Sequence, residues 1–124
     1  MSRSAVTLRP ARPTDAPVLA KLWADVLQRG HEDEHEAHCQ RIIARTEYDP
    51  GERIVVAEYD GEVAGAVHLS STTVSPLNLE PIVMALSPHV FDRFRRHGAG
   101  TALMEAAVAF AEEMGVAHVG APVI

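Results

Sequence analysis

Segments whose apolar residues recur at every second position alternate with segments where they recur every three or four, and their order predicts the fold. Ala5-Val6-Thr7-Leu8-Arg9 alternates and predicts a short strand, ended by Pro10 and Pro13. Thr14 or Asp15 can cap the helix that follows, in which Val18, Leu19, Leu22, Trp23, Val26 and Leu27 keep helical spacing until Gly30. That stripe is core, and Trp23 is a packing residue. His31 to Thr46 predicts a second, more polar helix with Cys39, Ile42 and Ile43 on its buried side, closed by Asp49-Pro50-Gly51. Arg53 to Tyr59 and Glu62 to Leu69 flank Asp60-Gly61, the pair suited to a type I′ turn, and so predict a hairpin. Ser75 to Asn78 is loop, and Leu79 to Leu86 is a fourth strand whose early pairing Pro81 limits. From Thr101 to Met114, Leu103, Ala107, Phe110 and Met114 form one helical stripe, while Ala102, Ala106 and Ala109 let the helix lie close to a sheet. Gly115 ends it, and Val116 to Val119 predicts a fifth strand, parallel to the fourth through a right-handed crossover. The order is β-α-α-β-β-β-α-β, an α/β chain with a mixed sheet.

Composition narrows the function classes. A length of 124 residues without repeat, low-complexity tract or linker predicts one domain. The balance of 11 basic against 17 acidic residues, a net charge of −6, argues against nucleic acid as a general partner, since phosphate backbones need a basic surface. An acidic surface serves solubility first and favours cationic amines only mildly. A single cysteine, Cys39, makes no internal disulfide. Met1 to Val6 lacks the apolar centre of a signal peptide, and no apolar run reaches membrane length, so a cytoplasmic location away from membranes is expected.

The chemistry concentrates at Arg95-Arg96-His97-Gly98-Ala99-Gly100, between the apolar run Ile82 to Leu86 and the helix that Thr101 continues. A strand, a Gly-x-Gly turn and a helix start make an anion site: the helix end presents unpaired N–H groups, and glycines let a phosphate approach the backbone. A nucleotide P-loop would need Gly-Lys-Ser/Thr, and no lysine stands here. A dinucleotide-binding turn would need a glycine in place of Leu103 and an acidic residue about twenty positions on. The bland alternative is a glycine-rich helix start that binds nothing.

Arg/Gln-x-x-Gly-x-Gly/Ala opening a helix resembles the acetyl-coenzyme A loop of the GCN5-related N-acetyltransferases, with Arg95, Gly98 and Gly100 in its three defined places. The element order and the opening Leu8 to Asp15 are similar to the same family. The resemblance implies an acyl-CoA N-acyltransferase fold of three layers, acetyl-CoA as co-substrate and an amine of a small molecule or peptide as acceptor. The pyrophosphate would lie on backbone N–H groups from Arg96 through His97, Gly98, Ala99 and Gly100 to Thr101. The pantetheine arm would pair with the backbone of Met84 and Leu86, and an N–H near Met84 or Ala85 would polarise the acetyl carbonyl. Glu80 is the candidate base for the acceptor ammonium, set against an ordinary solvated strand-end carboxylate; His68 and His89 are weaker candidates.

Two features depart from the family pattern. Ser87 to Phe94 makes a long loop ahead of Arg95. Family members also continue with a further helix and two strands, a region that often supplies a tyrosine acid for the departing thiolate, and Tyr48 and Tyr59 stand in the other half of the chain. The sequence is therefore expected to be a shortened form of a longer chain or one whose last strand pairs with a partner, a second copy being one that would serve. Without that region, a second reading is a coenzyme A binding or regulatory module with little turnover. His31-Glu32-Asp33-Glu34-His35, with His38 near, matches the zinc-peptidase pattern literally, but charged Asp33 and Glu34 demand water, so a solvated helix face without metal is expected.

Overall fold

Asp60 and Gly61 both take the left-handed conformation, with φ of +53° and +78°, as a type I′ turn requires. The hairpin they close is the centre of the fold. In the computed structural model, which describes residues 6–27, 32–74, 81–116 and 119–120, strands β1 (Thr7–Pro10), β2 (Glu52–Tyr59), β3 (Glu62–Val74), β4 (Pro81–Val90) and β5 (Val119–Gly120) lie in that order in one sheet. The first three pairings are antiparallel and β4 with β5 is parallel, so the sheet is mixed as the sequence predicts. Helices α1 (Ala16–Leu27) and α2 (Glu32–Thr46) precede the hairpin, and α3 (Ala99–Met114) joins β4 to β5.

Period-two alternation sends successive residues of the central strands into two cores. Ile54, Val56 and Ala66 pack with Leu19 and Leu22 of α1 and Cys39, Ile42 and Ile43 of α2; Trp23 lies against this cluster, as a packing residue should. Val55, Ala57, Val67, Leu69, Val83 and Ala85 pack on the other side with Leu103, Ala107 and Phe110 of α3. Three layers result. Among the described residues no helix is long and apolar enough to cross a membrane.

Local structure corrects several expected boundaries. β1 runs through Pro10, because an edge strand can give up one N–H, and Ala11 donates to the Ile54 carbonyl at 2.9 Å beyond it. Asp15 caps from inside a 3₁₀ turn, Pro13–Asp15, accepting from the Arg12 N–H at 2.6 Å and from Arg9 at 2.7 and 2.8 Å. The Arg9 hydrogen bonds hold its carboxyl below the usual carboxylate range despite burial. β4 continues to Val90, where a loop was expected from Ser87. The register slips between Ala66↔His89 and His68↔Leu86, so β4 carries one extra residue there and Pro88 is accommodated in a bulge. Val116 stands outside β5, because its N–H closes the end of α3 on the Ala111 carbonyl at 2.9 Å, beside Gly115 at φ +68°; Ala117 and His118 lie outside the described residues.

Candidate functional site

α3 starts where β4 has delivered the chain to one end of the sheet. Phe91 donates to the Ala64 carbonyl at 2.8 Å, a 3₁₀ turn covers Asp92–Phe94, and buried Phe94 anchors the segment. The chain then turns sharply. Arg96 has φ +69° and Gly98 +87°, two left-handed residues within three positions. Gly98 is the N-cap of α3 and offers no side chain to the helix end. The first N–H groups of the helix therefore lack a cap, at the positive end of a 16-residue dipole.

Arg95, Arg96, Gly98, Ala99, Gly100 and Thr101 line one open cavity of about 350 Å³ with Val90 and Phe94 as its apolar wall. Six of the seven residues assigned to the phosphate loop from sequence thus come together. The seventh, His97, turns its ring away onto Tyr59, with centroids 4.5 Å apart and planes 25° from parallel. Arg95 is exposed and pairs with Asp92 at 3.1 Å, an exchangeable surface partner for a guanidinium that a phosphate can replace.

Met84 and Ala85 lie on β4, whose other edge β5 covers only at Val83 and Met84 among the described residues. From Ala85 to Val90 that edge carries no further described strand, so the backbone beyond Met84 is where an extended arm can pair. Leu86 is opposite His68 in the β3 register. Gly120 permits the β4–β5 contact, since a Cβ there would stand 3.1 Å from Met84 Sδ. Glu80 lies outside the described residues.

His68 is enclosed on the α2 side of β3. Its Nε2 has no hydrogen-bond partner within the described structure and stands 4.0 Å from Glu52, whose carboxylate also pairs with Arg45. Burial lowers its pKa, more than the neighbouring Glu52 raises it, so the ring is neutral at neutral pH. His89 is in register with Ala66. Burial pushes the Cys39 thiol up to about 11, which makes it a poor nucleophile. His31 lies outside the described residues, and among those described no group of three or more His, Cys, Asp or Glu is placed to hold a metal ion.

A second cavity, of about 430 Å³, lies between β1 and α3, with Leu8, Val55 and Phe110 among its walls. Its cations are engaged: Arg9 by Asp15, and Arg53 by Glu113 at 3.0 Å. No helix terminus opens into it, so it lacks the free donors an anion needs.

Two residues of the site escaped the sequence reading. Gly65 is buried where β3 and β4 nearly touch: a Cβ there would stand 2.4 Å from the His89 carbonyl oxygen. An isolated glycine inside a strand pattern is the signal for such an approach. Tyr59 stands in the other half of the chain, yet its ring packs on His97 and Phe94. Nothing local marks it, because the contact spans the sheet.

Comparison with known proteins agrees with this fold. The model of the acetyltransferase (GNAT) family matches residues 19–123. In structure the chain is similar to an aminoglycoside N-acetyltransferase in complex with CoA, with a TM-score of 0.81 and 18% identity over 99% of this chain and 80% of that one. It is also similar to glucosamine-6-phosphate N-acetyltransferase from Arabidopsis thaliana, with a TM-score of 0.75 and 18% identity over 97% and 83% of the two chains. The ribosomal-protein-alanine N-acetyltransferase of Brucella melitensis gives a TM-score of 0.70 and 21% identity over 97% and 82%. No curated protein matches the sequence.

Proposed function

The chain belongs to the acetyltransferase (GNAT) family, and from that premise we propose that it transfers acetyl from acetyl-CoA to an amine of a small molecule or peptide. The observation that carries this reading is the cavity at the start of α3, where an uncapped helix end, two arginines and Gly98 meet. Backbone N–H groups from Arg96 to Thr101 hold the pyrophosphate, and Arg95 exchanges Asp92 for it. The edge of β4 beyond Met84, which no further described strand covers, pairs with the pantetheine arm at Leu86, next to Met84 paired with Gly120, which brings the thioester to the N–H near Met84 or Ala85.

Glu80, next in the chain before β4, takes the proton of the acceptor ammonium. The free amine attacks the carbonyl carbon, and a backbone N–H stabilises the oxyanion that forms. The C–S bond then breaks, the thiolate leaves and is protonated, and the amide is released. No covalent enzyme intermediate forms, in keeping with an inert Cys39.

The structural neighbours include N-acetyltransferases named for an aminoglycoside, a sugar phosphate and a protein alanine, so one fold serves amines of different size. The acceptor here is an amine whose identity the fold leaves open. A thiol-release assay against a panel of amines and peptide N-termini tests the proposal. Turnover that needs both acetyl-CoA and one class of amine is the expected result; binding of acetyl-CoA with no amine-dependent thiol release would leave a coenzyme-binding module instead.

A further inference from the structure

We infer that Tyr59 is a positioning residue for the phosphate loop: from the end of the β2–β3 hairpin its ring grips the loop on both sides of Arg95-Arg96 and holds it in its binding shape. The inference rests on the coenzyme reading of that loop. Tyr59 meets Phe94 edge to face, with centroids 6.0 Å apart and planes at 63°, and stacks on His97 at 4.5 Å. Phe94 and His97 bracket the two arginines of the loop. One of these, Arg96, holds a left-handed backbone at φ +69°, a conformation that side-chain-bearing residues avoid and that surrounding contacts must impose.

The geometry explains why the hold comes from Tyr59. Phe94 is buried and carries the Arg93 guanidinium over its ring at 4.8 Å from the centroid, so it is held in place independently of His97. His97 is exposed, and its ring stacks on Tyr59. Arg93 also reaches Glu62, on the other side of the same hairpin turn, at 4.0 Å, a weak surface pair that adds little to the aromatic contact. Tyr59 itself sits next to Asp60-Gly61, whose type I′ geometry fixes where its strand ends. A rigid hairpin thus carries an aromatic ring to a loop more than thirty residues later in the chain. A loop held in advance does not have to be ordered when the nucleotide arrives, and affinity rises by that saving.

The loop provides its own reporter, because Arg95 and Arg96 are trypsin sites within it, while Lys21 and Arg41 on the helices report general unfolding. Cleavage of a folded protein tracks local opening. Tyr59→Leu keeps apolar bulk without a ring, and Tyr59→Phe keeps both ring contacts. For Tyr59→Leu we expect nicking at Arg95 and Arg96 to accelerate, with Lys21 and Arg41 cut at the wild-type rate, and CoA affinity by titration calorimetry to fall about tenfold. Tyr59→Phe should match wild type in both. Unchanged nicking in Tyr59→Leu overturns the clamp. Faster nicking with unchanged CoA affinity overturns its part in nucleotide binding, and equal acceleration at every site shows an ordinary core contact instead. Should the wild-type chain fail to bind CoA, the coenzyme reading falls, while the nicking pattern still decides whether Tyr59 holds the loop.

Discussion

Gly65→Ala separates two physical effects by sign. In an unobstructed strand, alanine stabilises relative to glycine by roughly 0.5–1 kcal/mol, because the unfolded glycine has more freedom to lose. At Gly65 the added Cβ would stand 2.4 Å from the His89 carbonyl oxygen and 3.0 Å from the Val90 Cα, short of the 3.4 Å start of ordinary contact by 1.0 Å at the oxygen. Both obstacles are β4 backbone, tied to β3 in the pairs Gly65↔Val90 and Ala66↔His89. Neither can swing aside as a side chain can. Forcing a methyl group into such a site costs about 1–3 kcal/mol. After subtracting the glycine term the variant should lose about 1 kcal/mol, or roughly 5 °C in Tm for a domain of this size. The displaced segment is the one that places Val90 against the cavity, so coenzyme affinity should fall as well. Circular dichroism melts of wild type and variant give the first answer. A Tm that rises, or stays within about 2 °C, would show that the two strands do not approach as described.

Other perturbations probe other links. Gly98→Asp places a carboxylate where a Cβ meets no protein atom but where the backbone is left-handed at φ +87°, so the variant should lose roughly 1 kcal/mol of stability, only partly offset by an acidic group at the helix end. Acetyl-CoA affinity should fall by about 2 kcal/mol, near thirtyfold, through repulsion of the phosphates, and equal affinities by calorimetry would refute the site. His68 and Asp15 both have lowered pKa values in the folded chain, so each contributes stability that is present above its unfolded value and lost as pH falls through its folded one. The His68 window opens first, below its ordinary 6.5, so the unfolding free energy from denaturant melts should fall from there at no more than about 1.4 kcal/mol per pH unit, and His68→Gln should flatten that slope. Cys39, buried and with its thiol at about 11, should react with a disulfide reagent at pH 8 only as fast as the chain unfolds; complete labelling of the native protein within seconds would contradict its burial.

The sequence disclosed those parts of the molecule that depend on local rules. Asp60-Gly61 announces its turn because few other pairs tolerate two left-handed residues, and the stripe through Leu103, Ala107 and Phe110 is set by helical geometry alone. Arg95, Gly98 and Gly100 were legible for the same reason, as loop, cap and helix start are contiguous. The end of β4 was not, because Pro88 reads as a breaker until a bulge against β3 is known. Val116 kept a strand-like neighbourhood in sequence but gives its N–H to the end of α3. Gly65 and Tyr59 depend on the pairing of β3 with β4 and on the reach of the hairpin to the loop, which only the assembled sheet determines.

The central claim is that the start of α3 receives the nucleotide end of acetyl-CoA, and a titration of the isotopically labelled chain with CoA, read at the backbone amides, tests it directly. The largest chemical-shift changes are predicted at Gly98, Ala99, Gly100 and Thr101, which line the cavity at the start of α3. Changes centred instead on Leu8, Val55 and Phe110 around the second cavity, or none at a CoA concentration of about 1 mM, would contradict it.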